Sequence, residues 1–268
     1  MTQRTQTGRD KLRLGLKAIV FDIGGVFRDS SEAITEGYRR GFAKNGITFS
    51  FTSKQVWKLR GIGKYNNSLE ACRALLAIHY LDADIDQIIQ AANAEAEIDR
   101  LISELGEEKL KSAGAITEAY TQFFYSDQAK EMIRVIPNSK EAIDILSDNG
   151  YKLGIFTNSG IASIKRDLGW LGLERFGALV SGEDVKHKKP SGEGILKTLE
   201  KLGEVPEMSA YVGDAPTDII AAHDAGCAAI AVLSGMGSKA NLEAEYPELV
   251  FEDLYEASKF LRKRQATK

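Results

Sequence analysis

The sequence predicts an α/β protein, a doubly wound parallel sheet interrupted early by an all-helical insert. Three observations predict it. A short apolar run, Lys17–Asp22 (KAIVFD), is stopped by the pair Gly24 and Gly25, the pattern of a buried parallel strand. Residues 30–130 then show helical spacing with charged faces and no strand signal. After Pro137 helical and strand patterns alternate, and right-handed crossovers turn that alternation into a parallel sheet.

The elements follow in order. In the insert, Ala33–Asn45, Ser68–Tyr80, Ile85–Leu105 and Ala115–Phe124 read as helices. Beyond it, Ser139–Asn149 is helical with Gly150 as its stop signal, and Lys152–Thr157 is a strand. A helix at Ile161–Leu168, a strand at Ala178–Ser181 and a helix at Gly192–Leu202 come next. The strand Ser209–Gly213, the helix Thr217–Ala225 capped by Gly226, and the strand Ala228–Val232 continue the alternation. Leu249–Phe251 and Leu254–Arg262 close it as strand and helix. The expected domains are an α/β core from 1–29 and 131–268 and a helical domain from 30–130, hinged near Asp29 and Ile133–Pro137.

At 268 residues the chain is long enough for such a pair of domains. With Lys+Arg at 35 against Asp+Glu at 38, the net charge of −3 argues against a nucleic-acid surface. No apolar run reaches the ~18 residues of a membrane span, and no signal-peptide pattern opens the chain. Cys72 and Cys227 fall in different expected domains, so no disulfide is expected and a cytoplasmic location fits. Residues 1–12 are expected to be disordered. A monomer or a homodimer is expected.

Ligands of doubly wound sheets bind beyond the carboxyl ends of the strands. Those ends carry Asp22, then Thr157 and Asn158, then Asp214 and Asp218, with Lys186, His187, Lys188 and Lys189 in a loop before Pro190. Each alone is an ordinary turn or cap residue; their shared edge gives them weight. Carboxylates with few histidines make a hard oxygen site suited to Mg²⁺, and a lysine beside it offsets phosphate charge. Positioning and charge stabilisation of this kind are what phosphoryl transfer needs.

In that order the segments resemble the haloacid dehalogenase-like hydrolase superfamily, among its members with a helical cap after the first motif, such as phosphoglycolate phosphatases and beta-phosphoglucomutases. FDIGGVFRDS resembles the first motif, IFTNSG the second, KKPSGEGI the third and YVGDAPTDIIAAHDAGC the fourth. The resemblance implies a Rossmann-like core and a Mg²⁺-dependent phosphatase acting on a small phosphorylated metabolite. It implies Asp22 as nucleophile forming an aspartyl-phosphate, and Thr157 and Asn158 as phosphate-binding residues. Lys189 would hold nucleophile and phosphate. Asp22, the Gly24 carbonyl and Asp214 would hold the metal; Asp218 would join them through water or orient Lys189.

The sequence departs from the family pattern at one position. Two residues after the nucleophile these phosphatases usually carry a second Asp, the general acid and base; here it is Gly24. Phosphonoacetaldehyde hydrolases of the superfamily also lack that Asp and use a cap lysine. Lys64, in LRGIGKYNNSLEACRALL, stands in a comparable place, with Arg60 and Asn66 as further candidates for substrate contact. Three outcomes follow: a phosphatase, a C–P bond hydrolase using Lys64, or a weakened enzyme that mainly binds a phosphorylated ligand or a partner.

Overall fold

A computed structural model describes residues 15–91, 93–169 and 173–265. The expectation for residues 1–12 lies outside them. The described chain separates into two compact units. One holds the residues up to Arg28, Val135–Gly235 and the chain from Leu242 onward; the other holds Asp29–Arg134 and Met236–Asn241.

The first unit is the α/β one. Its sheet has six strands: β1 (Ala18–Phe21), β4 (Lys152–Phe156), β5 (Ala178–Val180), β6 (Ser209–Gly213), β7 (Ala228–Val232) and β8 (Leu249–Phe251). Two further short strands, β2 (Arg28–Asp29) and β3 (Arg134–Val135), pair with each other. The sheet order is β5-β4-β1-β6-β7-β8, and every neighbouring pair is parallel. β1 is therefore the switch point: the chain builds β4 and β5 to one side of it, then β6, β7 and β8 to the other. A crevice opens at the carboxyl end of such a strand.

Both faces of the sheet are covered, which explains why the strands read as continuous apolar runs. Ile19, Phe21, Ala210, Val212 and Ile230 pack on one face, with Leu146 and Leu261. Ala18, Val20, Tyr211, Ala229 and Ala231 pack on the other, with Ile195 and Ile219. The register sets Phe21 level with Ile155 and Val212, so the residues after β1, β4 and β6 emerge at one edge. Phe27 packs against Phe21 and Phe176, with ring centroids 5.4 and 6.1 Å apart, and pins the loop that follows β1.

The second unit is helical. The expected helices are present at Ser31–Lys44, Ser68–Tyr80 and Ala113–Phe124. The stretch Ile85–Leu105, expected as one helix, is two, Ile85–Gln90 and Ala94–Leu105, because the backbone at Ala91 is extended. The sequence reading missed a helix at Ser53–Arg60, which Thr52 and Gln55 start with a reciprocal capping box. The distant segment 236–241 joins this unit through hydrogen bonds from Lys58 Nζ to the Gly237 carbonyl (2.8 Å) and from Asn241 Nδ2 to the Gly61 carbonyl (3.2 Å). Cys72 and Cys227 are both buried free thiols. Among the described residues no helix is long and apolar enough to cross a membrane.

Candidate active site

Asp22 is the first residue beyond β1, held there by its backbone N–H donating to the Val212 carbonyl at 2.9 Å. It is largely buried. The chain then turns tightly: Phe27 N–H returns to the Ile23 carbonyl and Gly25 N–H to the Arg28 carbonyl. Gly25 adopts φ +66°, which suits a residue without a Cβ. A Cβ there would also collide with Asp214 Oδ2 at 2.2 Å, and one on Gly235 would lie 1.9 Å from the same oxygen. The two glycines thus form a slot for the Asp214 carboxylate. Ser234 Oγ donates to the Gly25 carbonyl at 2.6 Å and ties the loop after β7 to the loop after β1. Gly24 differs from both. A Cβ there would meet nothing nearer than Asp22 Oδ2 at 3.8 Å, so there is space for a side chain beside the carboxylate.

Lys189 is the centre of the charge cluster. Its side chain is 5% exposed and its Nζ lies 2.8 Å from Asp22 Oδ1 and 2.7 Å from Asp218 Oδ1. The Tyr211 hydroxyl is the third neighbour, 3.2 Å away, and itself donates to the Phe156 carbonyl at 2.8 Å. Burial pulls the Lys189 ammonium down, but Asp218 and Asp22 outweigh it and hold the pKa well above a lysine's ordinary value. Burial pushes the Tyr211 phenol well above its ordinary range and keeps it neutral. The backbone of Lys189 is held as firmly. Its N–H donates to Asn158 Oδ1 at 2.9 Å, and Asn158 Nδ2 returns to its carbonyl at 3.4 Å. The Asn158 side chain therefore braces the lysine loop, a contact the sequence reading did not foresee.

Asp214 and Asp218 sit at the other wall. The Asp218 Oδ2 atom accepts from the backbone N–H groups of Asp214 and Ala215, both at 3.0 Å, as a carboxylate at the start of a helix does. Burial pushes its carboxyl up, against the pull of Lys189 and the Ala215 N–H. Both Asp218 oxygens are engaged, Oδ1 by Lys189 and Oδ2 by the two N–H groups. Thr157, buried just beyond β4, donates its N–H to the Val180 carbonyl at 3.2 Å and accepts from Ser159 N–H at 3.4 Å.

Asp22, Asp214 and Asp218 each bring a carboxylate oxygen within 4.8 Å of the others. Asp22 Oδ1 is buried and, although it faces Lys189, has no aligned hydrogen-bond partner. Carboxylates packed so closely repel one another, and Lys189 supplies one positive charge among three negative ones. An oxygen-only donor set with an orphaned buried oxygen fits a small hard cation such as Mg²⁺, which Asp22 and Asp214 could hold.

The structure brings Asp22, Gly24, Thr157, Asn158, Lys189, Asp214 and Asp218 into the α/β unit. Lys64 and Arg60 belong to the helical unit. Lys64 Nζ pairs with Asp99 at 2.8 Å, and the Asp99 contact holds the amine above its ordinary value. Arg60 is buried, its guanidinium donating to the Tyr120 hydroxyl at 3.1 Å and to the Asn66 carbonyl. It holds Asn66 and the loop at the end of its helix in place.

The sequence reading missed Tyr211 and the Ser234–Gly235 pair. Both left a signal. Tyr211 is a lone phenol in a strand of otherwise small or apolar residues, and a buried hydroxyl there needs a partner. Ser234 and Gly235 follow β7 at the same carboxyl edge as Asp22.

The chain is 30% identical over 139 residues to the phosphoglycolate phosphatase of Haemophilus influenzae (strain ATCC 51907 / DSM 11121 / KW20 / Rd), a stretch covering 52% of this chain and 62% of that protein. It is 26% identical over 132 residues to the phosphoglycolate phosphatase of Escherichia coli (strain K12), covering 49% of this chain and 52% of that one. The matched stretch thus spans between half and two thirds of these relatives. Among solved structures, a predicted phosphoglycolate phosphatase from Haemophilus somnus 129PT shares the fold at a TM-score of 0.67 and 20% identity, covering 91% of this chain and 97% of that one. A hydrolase from Pseudomonas syringae does so at 0.63 and 18% identity, over 92% of this chain and 98% of that one. The family model for haloacid dehalogenase-like hydrolases matches residues 19–232, a span that contains Asp22, Thr157, Asn158, Lys189, Asp214 and Asp218, and the chain belongs to that family.

Proposed function

We propose that the protein is a Mg²⁺-dependent phosphatase acting on a small phosphorylated metabolite through an aspartyl-phosphate on Asp22. The observation that carries the proposal is the single buried lysine shared by Asp22 and Asp218 beside the Asp214 carboxylate. One Asp22 oxygen attacks phosphorus, the bond from phosphorus to the ester oxygen breaks, and the leaving oxygen takes its proton from water. Water then attacks the phosphorus of the acyl phosphate, releasing inorganic phosphate and restoring the Asp22 carboxylate. Lys189 keeps Asp22 aimed and offsets the charge that gathers on the transferring group. Thr157 and the Asn158 N–H receive the phosphate oxygens. Mg²⁺ held by Asp22 and Asp214 would supply further charge neutralisation during the transfer.

No side chain at Gly24 can protonate the leaving group or activate water. General acid–base help is worth roughly 10²–10⁴-fold, so both steps rely on solvent and turnover is slow for poor leaving groups. The Lys64 alternative has no support in the geometry. A Schiff base needs a free amine, and Lys64 Nζ is engaged in an ion pair with Asp99.

The test is a panel of phosphorylated compounds, 2-phosphoglycolate and an acyl phosphate among them, with Mg²⁺ and with Asp22→Asn as control. Turnover that vanishes in the variant supports the proposal. No turnover of any compound by the wild type favours a protein that only binds a phosphorylated ligand.

A further inference from the structure

We propose that Tyr211 is a positioning residue for Lys189, and so for the nucleophile; the inference rests on the phosphatase reading of the site. An ammonium has three N–H bonds. One is donated to Asp218 Oδ1 at 2.7 Å, while Asp22 Oδ1 lies 2.8 Å from Nζ as an ion-pair contact without an aligned hydrogen bond. A lysine tip held at two points still pivots about the line joining them, and the third contact stops the pivot. That contact is the Tyr211 hydroxyl at 3.2 Å. Its own proton is committed to the Phe156 carbonyl at 2.8 Å, so toward Lys189 the oxygen can only accept. The hydroxyl is thereby fixed in direction before Lys189 reaches it.

The arrangement also sets a distance. Tyr211 stands on β6, three residues before Asp214, and its hydroxyl is anchored on the residue before Thr157. One oxygen thus sets the lysine relative to the strand that carries the metal-site carboxylate and to the strand end expected to hold phosphate. The rings of Phe156 and Tyr211 lie 5.8 and 5.6 Å from Nζ and wall the cation in apolar surface. A phenol present only to fill the core would be satisfied by the Phe156 carbonyl alone and would have no reason to face the ammonium.

Tyr211→Phe removes one oxygen and keeps the ring. Turnover of 2-phosphoglycolate or p-nitrophenyl phosphate with Mg²⁺ is expected to fall about ten-fold in kcat, with KM within about two-fold, because a misplaced catalytic group costs rate more than binding. A crystal structure of the variant should show Lys189 Nζ displaced from its 2.8 Å ion-pair contact with Asp22 Oδ1. An unchanged Lys189–Asp22 contact overturns the proposal, as does a wild-type kcat measured well below the variant's Tm. A wild type that turns over nothing contradicts the phosphatase reading instead, and the crystallographic comparison still decides the role of Tyr211. Should Tyr211→Phe fail to fold, Tyr211→Met is read in the same two ways.

Discussion

Two lysines, one in each unit, meet carboxylates at nearly the same distance and yet do different things. Lys189 in the α/β unit is 5% exposed and lies between Asp22 and Asp218. Lys64 in the helical unit is 49% exposed and pairs with Asp99, itself 45% exposed. Water screens the second pair, and exposed pairs are worth only ~0–1 kcal/mol. The first is out of water, where removing one partner of a buried pair costs ~3–5 kcal/mol because the others are left unpaired. A cluster that costs so much desolvation and still holds three carboxylates against one lysine is poorly explained by stability alone. It is an arrangement poised for a cation and an anionic group.

The sharpest way to break the comparison is to replace each lysine by methionine. Lys189→Met should abolish turnover and lower stability by ~3–5 kcal/mol, because Asp22 and Asp218 then face each other without a counter-charge. Thermal melts with and without Mg²⁺ check this; a variant as stable as the wild type would show that the cluster is better solvated than its burial implies. A smaller effect, of opposite sign, is expected at Gly24. The open space beside Asp22 Oδ2 admits a carboxylate, so Gly24→Asp should raise kcat about ten- to a hundred-fold on substrates with poor leaving groups. Unchanged rates would mean that water already reaches the leaving oxygen as well as a side chain could. The smallest effect belongs to Lys64→Met, with Tm moving less than about 3 °C. A borohydride-trapped adduct on Lys64 would contradict the phosphatase reading directly.

What the sequence made legible follows the same division. Asp22, Asp214 and Asp218 could be found because each ends or follows an apolar strand, and the strand order brings such ends to one edge. The parallel, doubly wound sheet could be read from the alternation after Pro137, but the strand order that makes β1 the switch point could not. The helical unit was less legible: the break at Ala91 carries no glycine or proline to announce it, and the Ser53–Arg60 helix is too short for periodicity to show. Contacts made across strands were hidden for another reason. That Tyr211 faces Lys189, that the Asn158 side chain grips the lysine loop, and that Gly25 and Gly235 enclose Asp214 all depend on which strands are neighbours. Asp218 was left between two roles, and its contacts to Lys189 and two backbone N–H groups could not be read from the sequence.

The most direct test of the account is to trap the covalent intermediate. The protein, Mg²⁺ and a phosphorylated substrate are mixed, quenched in acid within the first turnover, digested and weighed peptide by peptide. The account predicts the added mass of one phosphoryl group on the peptide containing Asp22, lost in Asp22→Asn and enlarged wherever release to water is the slow step. Turnover that persists in Asp22→Asn, with no phosphorylated peptide in the wild type, would contradict it.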